Sequence, residues 1–195
     1  FIGNYDKGGH YVSLDLQFYP AWEPVEEPDR KFILPLFNTV NVLEMKGQNY
    51  GRLFLNDTLM TSFEVPDGIG NKKLYFTTTG HGGWEGGDEF NPRLNELFID
   101  GEPVFKVVPW RSDCGTYRMA NPASGNFGNG LSSSDLSRSN WCPATLTPPF
   151  IIPLTELSAG KHTIQVVIDM GPPVGNSWSA WSVSGVLTGS YGTDQ

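Results

Sequence analysis

Apolar and polar positions alternate with period two along most of this chain. Val12-Ser13-Leu14-Asp15-Leu16-Gln17-Phe18 is one such run, and that period predicts a half-buried strand. Residues 31–37 and 52–55 are short apolar stretches of strand length. Residues 62–65 stop at Pro66-Asp67-Gly68, a turn signal. Residues 74–79 are rich in aromatic and β-branched side chains, which suit a pleated surface. Residues 97–99 and 103–108 flank Asp100-Gly101, the dipeptide that closes tight hairpins. Residues 150–152, 161–168 and 178–187 complete the set, and 154–159 predict one short helical turn. Nowhere is a helical period sustained. Many strands at short spacing between Gly and Pro turns imply an all-β, antiparallel sandwich.

Two segments break the alternation. Residues 21–30 (AWEPVEEPDR) carry two prolines and four acids and read as a linker or crossing segment. Residues 114–149 form a long stretch of low apolar content, and a loop of that length in a compact domain is usually functional. The 195 residues suffice for one full domain and a piece of another. A net charge of −8 disfavours nucleic acid and anionic membrane surfaces, both of which call for clustered Lys and Arg. No apolar run approaches the roughly 20 residues that cross a bilayer. Phe1 and the strand-like start at Val12 suggest a processed form or a fragment of something longer.

Candidate chemistry concentrates between Thr77 and Pro143. Asp88-Glu89 is flanked by glycines, and Trp84, Trp110, Trp141, Arg138 and both cysteines lie in the same stretch. Glycine admits close backbone approach to a ligand, and tryptophan offers a flat apolar face with one donor. Cys114 and Cys142 are not in a C-x-x-C pair and have no histidine nearby, which argues against zinc. They read as one disulfide in an oxidising compartment, the alternative being two buried thiols. Gly86-Gly87-Asp88-Glu89-Phe90 spells the diguanylate cyclase signature. Those enzymes set it among amphipathic helices, which this chain does not predict.

A broader set of features resembles another family. A strand ending in Thr-Thr enters a Gly/His/Trp turn, and an acid-plus-aromatic pair, Glu89-Phe90, follows a glycine-rich loop. A cysteine comes next, then an Asn/Gly/Ser loop with Asn121-Pro122, and finally Arg138-x-x-Trp141-Cys142-Pro143. This order is similar to the C-terminal domain of the peptide-N-glycosidase F family, bacterial amidases that release N-glycans from asparagine.

The resemblance implies two jelly-roll sandwiches side by side, with the active site in the cleft between them. Residues 1–22 would be the final strand or strands of the first sandwich, 23–30 a linker, and 31–195 the second. The family's principal catalytic aspartate would then lie outside this chain. The expected partners are an N-linked glycoprotein or glycopeptide and a separate N-terminal chain cut from one precursor, in a secreted or periplasmic setting. No metal or cofactor is implied.

Glu89 matches the family's second acid, which acts through water or holds substrate polar groups; otherwise it is a solvated turn carboxylate. Asp88 is the local alternative acid. The family flanks its acid with a short disulfide where this chain has Gly87 and Asn91, so the loop must be held differently. Arg138 matches an arginine that hydrogen-bonds the innermost sugars; otherwise it pairs with Asp135 at the surface. Trp141 is a stacking platform or packs on the disulfide, and Trp84 and His81 line the same cleft or serve structure. Trp110, Trp178 and Trp181 read as core or interface, His10 and His162 as exposed, and Asn56-Asp57-Thr58 as a turn. Two other classes remain: a non-catalytic carbohydrate-binding jelly roll, and a copper monooxygenase, which needs clustered histidines that His10, His81 and His162 do not form.

Overall fold

The structure, a computed structural model, describes residues 13–20, 30–39, 58–82, 87–120, 130, 132–143, 145–170 and 179–191. Eight strands are seen there: β1 (Lys31–Asn38), β2 (Thr58–Val65), β3 (Ile69–Gly82), β4 (Asn95–Ile99), β5 (Glu102–Val107), β6 (Phe150–Pro153), β7 (Gly160–Ile168) and β8 (Ser179–Tyr191). They pair antiparallel in two four-stranded sheets, ordered β1-β8-β3-β6 and β2-β7-β4-β5. The chain changes sheet at most connections, which is the jelly-roll wrapping of a sandwich.

The period-two pattern accounts for the core. Leu74, Phe76 and Thr78 of β3 point inward with Trp181, Val183 and Leu187 of β8, all at most 1% exposed. Leu97 and Ile99 of β4 and Ile164, Val166 and Ile168 of β7 face them from the other sheet. Each of the Leu, Ile, Val and Phe side chains among them contributes about 1.5–3 kcal/mol by leaving water. Phe76→Ala, which would leave a cavity, would cost about 3–5 kcal/mol. Asp100 and Gly101 have φ of 52° and 86°, so this turn has the doubly left-handed backbone that the Asp-Gly signal predicts.

Several expectations need correction. Residues 13–20 belong to neither sheet, and Leu14, Leu16 and Phe18 are all strongly exposed. Alternation gives a strand only where a neighbour accepts its hydrogen bonds, and none of the described strands does so here. Residues 154–159 make a turn closed by Leu157 N–H to the Leu154 carbonyl at 3.1 Å, not a helical segment. His162 is buried, with Nδ1 2.7 Å from Asp100 Oδ2 and Nε2 3.0 Å from the Ser158 carbonyl. Trp181 is core, whereas Trp110 is partly exposed. The long loop contains 3-10 turns at Cys114–Ala120 and Ser133–Asp135. The expected strand at 52–55, the linker at 21–29, His10, Trp178, Asn56 and Asp57 lie outside the described residues.

Candidate active site

The site forms where the end of β3 meets two loops, 87–94 and 138–143. Backbone pairing sets the scaffold. Arg111 and Arg138 exchange both backbone hydrogen bonds, at 2.8 and 2.9 Å. Gly80 N–H donates to the Ser139 carbonyl at 3.0 Å, and Ser139 N–H donates to the Glu89 carbonyl at 3.0 Å. Ser139 thus ties all three segments together. Gly80 permits this approach because an added Cβ there would lie 2.6 Å from Ser139 Cβ and 2.8 Å from the Asp88 carbonyl oxygen. Asn140 turns the chain with a left-handed φ of 66°, and its side-chain amide donates to the Thr78 carbonyl at 2.8 Å. Asparagine tolerates that conformation better than most residues. The disulfide Cys114–Cys142 is formed and buried beside it.

On this scaffold Glu89, Arg138, Trp141 and His81 come together. Arg138 Nη1 donates to Glu89 Oε1 across 49 residues of sequence. The arginine side chain is 2% exposed and the glutamate side chain 21% exposed, so the carboxylate forms the accessible half of the pair. The Arg138 guanidinium also lies over two rings, 4.5 Å from the centroid of Trp141 and 5.2 Å from that of Phe90. Burial lowers the Arg138 pKa and the Glu89 charge opposes that shift; arginine's ordinary value is high enough that the group stays cationic. Asp135, the alternative partner expected for Arg138, pairs with Arg118.

His81 stacks on Trp141, centroids 5.5 Å apart and planes 28° apart. The indole N–H donates to the Gly80 carbonyl at 3.0 Å, which fixes the ring. His81 Nε2 lies 2.8 Å from Thr79 Oγ1. Burial, and then the Arg138 charge, lower the His81 pKa to about 4, so the ring is neutral near pH 7. The assembly is a flat, uncharged ring surface beside one accessible carboxylate.

Asp88 is placed differently from its expected role. Its side chain is 0% exposed and accepts from Arg93 Nε and Trp181 Nε1, each at 2.8 Å, so it has no surface to offer a ligand. Where a short disulfide was absent, the Asn91 side-chain amide donates to the Gly87 carbonyl at 2.8 Å and closes the loop. Trp84, Asn121 and Pro122 lie outside the described residues. Sequence reasoning missed Ser139, Asn140, Arg93 and Trp181 as supports, and no local motif marks them. Among the described residues no group of three His, Cys, Asp or Glu side chains is placed to hold a metal ion.

A jelly-roll sandwich carrying a carboxylate–guanidinium pair beside stacked aromatic rings defines the class. Residues 49–188 match the model of Peptide-N-glycosidase F, C terminal, and the chain belongs to that family. Its structure is similar to that of PNGF-II in the P21 space group, with 55% identity and a TM-score of 0.75 over 83% of this chain and 30% of that one. In the C2 space group the figures for PNGF-II are 53% and 0.76 over 85% and 31%. PNGase F, a glycosylasparaginase from Flavobacterium meningosepticum, shares the fold at 18% identity and a TM-score of 0.63, over 84% of this chain and 52% of that one. Nothing among curated proteins matches. The chain therefore spans under a third of the PNGF-II chains.

Proposed function

We propose that this chain is part of an amidase that hydrolyses the bond between asparagine and the first N-acetylglucosamine of an N-glycan. It supplies one wall of a site shared with a second sandwich. In that reaction water adds to the side-chain carbonyl carbon, the C–N bond breaks, and the departing glycosylamine nitrogen takes a proton. Two carboxyl groups on either side of the bond can share these transfers. Glu89 is the acid on this side, acting through water or holding the amide and sugar polar groups. The principal acid comes from a separate N-terminal chain, whose sandwich residues 1–22 would complete. Trp141 and neutral His81 give the C–H face of a sugar ring a flat platform. Arg138 orients Glu89 from behind, because its own side chain is nearly enclosed. The disulfide supports a secreted or periplasmic location.

The observation that carries this reading is the accessible Glu89 carboxylate held by Arg138 next to stacked rings. In the complete protein Glu89→Gln is expected to lower glycopeptide turnover about 100-fold or more with the fold intact. Arg138→Ala should lower kcat at least as much as it raises KM. Unchanged turnover in Glu89→Gln removes this residue from the chemistry. A complete protein that binds glycan and releases none would instead be a carbohydrate-binding module, a reading for which the Trp141–His81 platform alone would suffice.

A further inference from the structure

Two neighbouring carboxylates in one loop have opposite fates. Glu89 reaches solvent, while Asp88 is fully enclosed. A buried carboxylate carries a desolvation cost of several kcal/mol, and an apolar residue would pack the same space without it. Asp88 is bonded at every polar atom. Oδ1 accepts from Arg93 Nε and Oδ2 from Trp181 Nε1, each at 2.8 Å. Its N–H donates to Ser179 Oγ at 3.2 Å, and its carbonyl accepts from Ser139 Oγ at 2.6 Å. Ser179 and Trp181 belong to β8, an interior strand of its sheet that pairs with β3 along this stretch, so these bonds tie the loop to the sandwich itself.

We propose that Asp88 is the positioning residue of the site: its buried carboxylate, clamped between Arg93 and Trp181, sets where Glu89 stands against Arg138. This rests on the functional reading of Glu89 given above. The path is short. Asp88 fixes Ser139 through the serine hydroxyl, and Ser139 N–H holds the Glu89 carbonyl. Arg138, one residue before Ser139, delivers its guanidinium to the Glu89 side chain. The backbone of the acid and that of its partner are therefore both referenced to the Asp88 main chain, which its enclosed carboxylate holds in place. Asn at this position keeps the shape but turns one acceptor into a donor, which then faces either an indole or a guanidinium N–H.

The test uses the complete protein with a glycopeptide. Asp88→Asn is expected to lower kcat about 10- to 100-fold with KM within about twofold, as a misplaced catalytic group does. Hydrogen exchange at the Ser139 amide should accelerate at least about tenfold, while β7 core amides keep their protection. A variant with wild-type kcat and only a lower melting temperature overturns the proposal. If Asp88→Asn does not fold, Arg93→Met and Arg93→Lys decide. A loss of kcat in the first that the second restores supports positioning; wild-type kcat in Arg93→Met overturns it. Should Glu89→Gln itself turn over normally, the functional reading falls. The Ser139 amide then decides the positioning claim by itself, accelerated exchange supporting it and unchanged exchange overturning it.

Discussion

Replacing both Cys114 and Cys142 by alanine tests how the site loop is held. The bridge closes a loop of 28 residues in sequence separation. Removing it restores to the unfolded chain the conformational freedom of that loop. With 28 residues, the loop-entropy relation gives about 3.6 kcal/mol at 25 °C. The folded state changes less, because the Arg111–Arg138 backbone pair and the Gly80–Ser139–Glu89 bonds hold the same segment without the sulfurs. Both cysteines are nearly fully buried, so each truncation adds a small packing loss. For a domain of this size every kcal/mol moves Tm by about 2–4 °C, which predicts a fall of about 7–14 °C. Calorimetry and urea titration read both terms. The m-value should rise, since an unbridged denatured state exposes more surface. A stability loss below about 1 kcal/mol with an unchanged m-value would refute the argument, because it would mean the unfolded loop is not constrained by the bridge.

Other outcomes follow from the same geometry. His81 has a folded pKa of about 4, below its ordinary 6.5, so between these values the unfolded state binds the extra proton. Stability from this group is complete above about pH 6.5 and is lost as pH falls toward 4, on the order of 3 kcal/mol in total. His81→Gln should flatten the stability profile across that window, and an unaltered slope would contradict the burial argument. Gly80→Ala should cost about 1–3 kcal/mol by overpacking against Ser139, Asp88 and the Trp181 ring, and should lower turnover with it. A melting temperature equal to wild type would show that the two loops part easily.

Strands, turns and fold class were legible in the chain itself. A sheet face imposes period two on its residues one by one, and Asp100-Gly101 carries its own turn preference, so these signals are local. The identity of the site segment was legible too, in Glu89-Phe90 and in Arg138-x-x-Trp141-Cys142-Pro143. The roles of particular atoms were not. Asp88 and Glu89 look equivalent in sequence, and what separates them is a Trp181 indole 93 residues away and an arginine on the approach to β4. Arg138 had a charge partner nearby in Asp135 and took Glu89 instead, because the jelly-roll wrapping brings that loop to the end of β3 while Arg118 neutralises Asp135. The start of a strand predicts an exposed His162, but its burial is set by the neighbouring turn and by Phe63, whose ring centroid lies 5.6 Å away. Residues 13–18 have the pattern of a strand yet lack a partner among the described strands, since alternation states which faces differ and not who pairs with them. Period and motif are properties of neighbouring residues, whereas solvation and charge pairing depend on which distant groups the completed fold sets within a few ångströms.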